Sequence, residues 1–150
     1  MKSAGYSKAF RLAGVCLGLF LMVGTIQAED LNLKVKLIWG TNDRPSADSK
    51  DKPVDAAVLK KLSSVFKWKY YYEVSSKDFK VPSRGSTKVT VSSKCEVVVK
   101  ELEGPQVEVQ VFGEGKHVKT VTSKLTREET LTIAGDDKKE CAWFIYFQQF

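Results

Sequence analysis

Residues 87–100 run TKVTVSSKCEVVVK, in which Thr87, Val89, Val91, Cys95, Val97 and Val99 alternate with Lys88, Thr90, Lys94, Glu96 and Lys100. Side chains of a β-strand point to opposite faces in turn, so this period of two describes a sheet with one dry face and one wet face. A single strand of that length would far exceed the usual ~5–6 residues. A bend or bulge is therefore expected near Ser92-Ser93-Lys94, where a strand can leave one sheet and enter another. After Leu102-Glu103-Gly104-Pro105, a turn signal, the alternation resumes with Val107, Val109 and Val111 against Glu108, Gln110 and Phe112.

Working outward, Leu31, Leu33, Val35, Leu37 and Trp39 alternate with Asn32, Lys34, Lys36 and Ile38, which predicts a first strand with a lysine-bearing outer face. The polar segment from Thr41 to Lys52 reads as a surface loop. From Pro53 to Phe66 the period changes: Val54, Val58, Leu62 and then Val65 or Phe66 recur at helical spacing. Asp51 or Asp55 is the candidate cap of this short helix, and Pro53 suits its first turn. Alternation returns with Phe66, Trp68, Tyr70, Tyr72 and Val74 on one side and Lys67, Lys69, Tyr71 and Glu73 on the other. Phe79 and Val81 predict a separate short strand.

Gly113-Glu114-Gly115 reads as a hairpin turn into a strand in which Val118 and Val121 are out of phase, so a bulge is expected there. Thr130 to Ala134 is a further short strand, and Gly135 to Glu140 a charged loop. The last strand, Cys141 to Phe147, is apolar on both faces, which requires a central place or a helix over its second face. The sum is a mostly β, two-sheet, immunoglobulin-like sandwich of about eight strands with one short α-helix. The likeness is architectural, because the Cys, Trp, Cys order of antibody domains is missing. Alternating apolar strands also describe small outer-membrane barrels, but the strands are short and a helix interrupts them.

Residues 1–28 stand apart from this domain. Lys2, Lys8 and Arg11 precede an uncharged run from Leu12 to Ile26, and Ala28 is the expected cleavage point of a secretory signal peptide. The alternative is an uncleaved anchor, for which the run is short. Cys16 belongs to this segment. Without Lys2, Lys8 and Arg11 the formal charge falls from +6 to +3, a mild balance that argues against a dedicated nucleic-acid binder. One β-sandwich domain, 29–150, remains, with a periplasmic or secreted location and no membrane span once the signal is removed. Two of its residues, Cys95 and Cys141, would meet an oxidising compartment and are the candidate disulfide.

Catalytic apparatus is not found. The single histidine, His117, lies in a hairpin strand, and no Gly-x-Ser-x-Gly turn or glycine-rich phosphate loop occurs. No clustered ligand set suits zinc; Asp136, Asp137 and Glu140 read as a solvated turn rather than a calcium loop, so neither metal nor cofactor is expected. The residues singled out are Lys34, Lys36, Lys67, Lys69 and Tyr71. If the two strands that carry them pair, they form a basic patch with an exposed tyrosine, suited to an acidic protein or an anionic glycan of the envelope. The competing reading is an edge strand guarded by lysines against aggregation. The functional expectation is a non-enzymatic exported binding or structural module of the cell envelope. The alternative is a small extracytoplasmic enzyme or enzyme inhibitor using loop residues such as Thr41 to Lys52.

The runs Phe66-Lys67-Trp68-Lys69-Tyr70, Ser93-Lys94-Cys95 and Ala142-Trp143-Phe144 resemble those of a family of small exported bacterial β-sandwich proteins with no known activity. The resemblance spans most of the mature chain. It implies size and an exported location, and adds no chemistry.

Overall fold

The computed structural model describes residues 29–137 and 140–150; the expected signal peptide, residues 1–28, lies outside the described residues. Two antiparallel sheets form a β-sandwich. The first is built from β1 (Leu31–Thr41), β2 (Lys52–Pro53), β3 (Tyr70–Val81), β8 (Thr130–Asp137) and β9 (Cys141–Gln149), in the order β2-β3-β1-β9-β8. The second is a meander of β4 (Ser86–Ser92), β5 (Cys95–Glu101), β6 (Gln106–Gly113) and β7 (Lys116–Lys124) in sequence order. The helix α1 spans Ala56–Val65.

Between the sheets lies the main core, where Val89, Val91, Val97, Val99, Val107, Val109 and Val111 of the meander meet Leu33, Val35, Ile133, Ile145 and Phe147. The valine alternation of residues 87–111 thus faces inward as expected. The chain does not bend between sheets at Ser92-Ser93-Lys94: Ser93 and Lys94 are a tight turn, and β4 and β5 pair as neighbours in one sheet. A two-residue loop by itself inverts the alternation, since residues i and i+3 then share a face; the register shift between Thr90 and Ser92 restores it, so the hairpin and its bulge together are concealed in an unbroken parity. The crossing between sheets falls instead at Pro82 to Gly85, where Arg84 takes a positive φ of 55°. The Gly113-Glu114-Gly115 hairpin is present, with φ of 50° at Glu114 and 76° at Gly115, and the predicted bulge leaves Val118 out of the β6–β7 register.

The second face of the first sheet is also dry. Ile38 of β1, Tyr71 of β3 and Ala142, Phe144 and Tyr146 of β9 pack against Val54, Val58 and Leu62. The helix lies over β9 because that strand is apolar on both faces, as the Cys141 to Phe147 reading required. Asp55 caps α1, its Oδ1 accepting from the Val58 amide at 2.9 Å. Pro53 sits in the short bridge to β3 rather than in the first helical turn. Phe66 ends the helix, and the strand expected to begin there begins at Tyr70 and continues unbroken through Phe79 to Val81. Phe66 and Trp68 instead pack onto the helix side, Phe66 against Phe144 with ring centres 4.7 Å apart.

Lys36 ties helix and sheet together. Its ammonium, with a side chain 12% exposed, lies 2.9 Å from Asp55 and 3.0 Å from Glu73. Burial alone would lower the Lys36 pKa, but its hydrogen bonds to Asp55 and Glu73 outweigh that and raise it. The same hydrogen bond from Lys36, helped by the Val58 amide, lowers the Asp55 carboxyl. A depressed carboxylate stabilises the fold above its unfolded pKa of ~3.9, and that contribution is lost as pH falls through the lower folded value. Asp55→Asn should therefore be less stable than the parent at neutral pH, by a gap that narrows below about pH 4. Asp55→Ala, which also loses the cap, should cost about 0.5–2 kcal/mol in urea unfolding at neutral pH.

Candidate functional site

The five residues singled out as a patch do not form one. β1 and β3 do pair, but Lys34 lies 3.6 Å from Asp78, and Lys36 is engaged with Asp55 and Glu73. Lys67 and Lys69 precede β3; Lys67 sits over the Trp68 ring at 5.5 Å, and the Lys69 amide donates to Asn42 Oδ1. They lie beside the Thr41 end of β1, roughly 23 Å along the strand from Lys34 at ~3.3 Å per residue.

Tyr71 is 3% exposed rather than displayed. Its expected face is right, shared with Lys36 and Glu73, but α1 covers that face at this end. The Tyr71 hydroxyl is buried, and burial pushes its pKa up, with a hydrogen bond to the Trp68 backbone pulling the other way. The edge-guarding alternative falls as well, since β1 is central. Among the described residues the lysine-guarded edge is β7, which carries Lys116, Lys119 and Lys124, is bulged at Val118 and pairs only with β6.

The candidate disulfide does not form: Cys95 and Cys141 are not at bonding distance. Cys95 opens β5 in one sheet, whereas Cys141 stands in the other, one pleat beyond Trp143, with its Sγ 3.7 Å from Thr41 Oγ1. Parity marked both as inward-facing, but it carries no information on their height along the sandwich. Burial raises the Cys95 pKa, and neighbouring Glu96 adds to the rise, so this thiol is a poor nucleophile at neutral pH.

Two concavities mark the ends of the sandwich. At the end where the chain enters β1, a depression of about 380 Å³ is lined by Glu29, Asp30, Glu101 and Arg127 among others. Two of its carboxylates are engaged: Asp30 lies 3.8 Å from Lys80, and Glu101 accepts from the Arg84 amide at 2.6 Å. At the other end the β4–β5, β6–β7 and β8–β9 turns surround a groove of about 420 Å³. Its walls are apolar: Leu37, Trp39 and Trp143 from the first sheet, Val111, Phe112 and Val118 from the second. Val74 and Val118 stand at its rim, 47% and 52% exposed. Lys94, Glu114 and Asp137 supply the polar border, with Lys94 and Glu114 3.8 Å apart.

Trp39 and Trp143 are direct cross-strand partners on β1 and β9, so their indoles share one face. Trp143 lies flat over Gly135, where a Cβ would come within 2.1 Å of the indole. The position is glycine because the ring occupies the space a side chain would need. The alternation of β1 placed Trp39 inward, and Trp143 shares its parity with Ile145 and Phe147. That both wall a groove was not legible, because parity assigns a face and says nothing of how near that part of the strand lies to the end of the sandwich.

No group of histidine, cysteine and acidic residues suited to a metal ion occurs among the described residues, and Asp136, Asp137 and Glu140 border a small depression with Lys67 and Asn42. No helix among them is long and apolar enough to cross a membrane. No family model, curated protein or solved structure matches the chain.

Gly135→Ala should displace Trp143, lower unfolding stability by about 1–3 kcal/mol through overpacking, and alter the tryptophan emission of the folded protein. Reductant should leave the melting temperature unchanged, and thiol-specific reagents should modify Cys95 and Cys141 in denaturant without prior reduction.

Proposed function

We propose that the protein is a non-enzymatic binding module of the cell envelope, exported by residues 1–28 acting as a signal peptide, and that it holds a small aliphatic or aromatic group in the groove at the turn end of the sandwich. The observation that carries this reading is the groove's combination of size and lining. Its volume of about 420 Å³ falls in the range of small-molecule sites, which are concave, mostly apolar and edged by a few polar groups. Trp39 and Trp143 offer broad, rigid surface at low entropic cost, and Val74 and Val118 at the rim gain from being covered.

An anionic partner drawn to Lys34, Lys36, Lys67 and Lys69 loses its basis, because the first two of those charges are already paired within the fold. The enzyme alternative would need carboxylates gathered and unengaged in a concavity. In the opposite depression Asp30 is held by Lys80 and Glu101 by the Arg84 amide.

Titration with anilinonaphthalene sulfonate, a small aromatic probe, should give saturable fluorescence enhancement with quenching of tryptophan emission. Val118→Asp, at an exposed and bulged position, should weaken that binding about tenfold or more, equivalent to about 1.4 kcal/mol. The pair Lys67→Glu and Lys69→Glu should leave it unchanged. Absence of saturable binding, or binding indifferent to Val118→Asp, would show that the groove is not a binding site.

A further inference from the structure

The two open edges on one side of the sandwich are built differently. β7, the edge of the meander, carries three lysines and a bulge, features that discourage a further strand from pairing. β8, the edge of the other sheet, is Thr-Leu-Thr-Ile-Ala-Gly-Asp-Asp, uncharged over its first six residues, and its register with β9 runs from Thr130 to Asp137 without a shift. It pairs with β9 alone. Beside it α1 leaves Val65 74% exposed, above a shallow groove bounded by Phe66, Thr130 and Thr132.

We infer that β8 is a self-association edge, pairing antiparallel with β8 of a second copy so that the first sheet continues across a two-fold axis at Ile133. An antiparallel pair of identical strands must place residues of the same face opposite one another, which restricts the axis to a residue position. Centring it on Thr132 would set Glu128 opposite Asp136 of the second copy, like charge against like. Centring it on Ala134 would put Asp137 opposite Leu131, a charge against an inward apolar residue. Centring it on Ile133 opposes Thr132 with Ala134, Leu131 with Gly135, and Thr130 with Asp136.

That last pairing is complementary in charge. Lys61 of α1 donates to Thr130 Oγ1 at 3.4 Å, so its ammonium stands beside Thr130 on the helix-covered face. Asp136 shares that face, being opposite Ala142 in the register with β9. Across the axis the Lys61 of each copy meets the Asp136 of the other, twice per dimer. Neither residue enters an ion pair among the described residues. The lysines of β7 keep that edge of the second sheet from pairing with its own copy, which on this side of the sandwich leaves β8 for the contact. This inference does not depend on the groove or on what binds there.

Sedimentation velocity on the purified protein at physiological salt should show a concentration-dependent dimer. Lys61→Glu and Asp136→Lys, each putting like charges together twice across the axis, should each raise its dissociation constant about tenfold or more. Combining the two reverses both pairs and should restore the dimer, a rescue that general damage to the fold would not produce. A protein that stays monomeric throughout the micromolar range overturns the inference. So does a dimer that both single substitutions leave intact, and so does a double variant no better than the singles. Far-UV circular dichroism of each variant should match the parent, because both side chains lie at the surface.

Discussion

The dependence of every other element is on the burial of β9. A strand with Ala142, Phe144 and Tyr146 on one face and Trp143, Ile145 and Phe147 on the other cannot lie at a wet surface, since each large side chain left in water forfeits about 1.5–3 kcal/mol. It must be covered twice. The meander supplies one cover through its valines, and α1 supplies the other through Val58 and Leu62. β1 and β8 flank β9 within the sheet, so the strand meets water only toward its end. The helix is therefore not an ornament on a sandwich but a third layer over half of one sheet.

Placing a helix on a face that also carries lysine has an electrostatic consequence. Lys36 would be stranded beneath α1 without partners, and burying an unpaired cation is expensive. Asp55 resolves this by serving the helix as its cap and Lys36 as a counter-ion, with Glu73 completing the pair across the β1–β3 register. Helix start and sheet face are thereby joined by one hydrogen-bonded cluster. The same arrangement consumes the charge that an anionic partner would have used. What remains available to a partner is apolar surface at the turn end and the uncharged backbone edge of β8.

Much of this was legible in residue order. Period-two runs located the strands of the meander, the bulge near Val118 and the inward valines, because pleat geometry ties parity to face regardless of the neighbours. Helical spacing of Val58 and Leu62 and the capping residue Asp55 were equally local. Three readings failed, each where parity stops carrying information. At Ser93-Lys94 a two-residue turn and the adjoining register shift at Val91 cancel in parity, so two strands looked like one bent strand. Phe66 to Lys69 alternates like a strand but follows a helix end and packs into the outer cluster. Cys95 and Cys141 share an inward sense but stand at different heights in different sheets.

The chain by itself determined which residues seek the dry side of a sheet, where its glycine-marked turns fall, and that the final strand must be enclosed, because these follow from side-chain chemistry and the geometry of adjacent residues. Only the tertiary structure decided that the face bearing Tyr71 is roofed by α1, that Lys34 and Lys36 are neutralised within the fold, and that Trp39 and Trp143 wall an open groove. Those outcomes depend on contacts between segments far apart in sequence, such as Lys36 with Asp55 and Tyr71 with Phe144. Alternation assigns a face to each residue, but whether that face meets water, a helix or a second sheet is settled by how the layers stack.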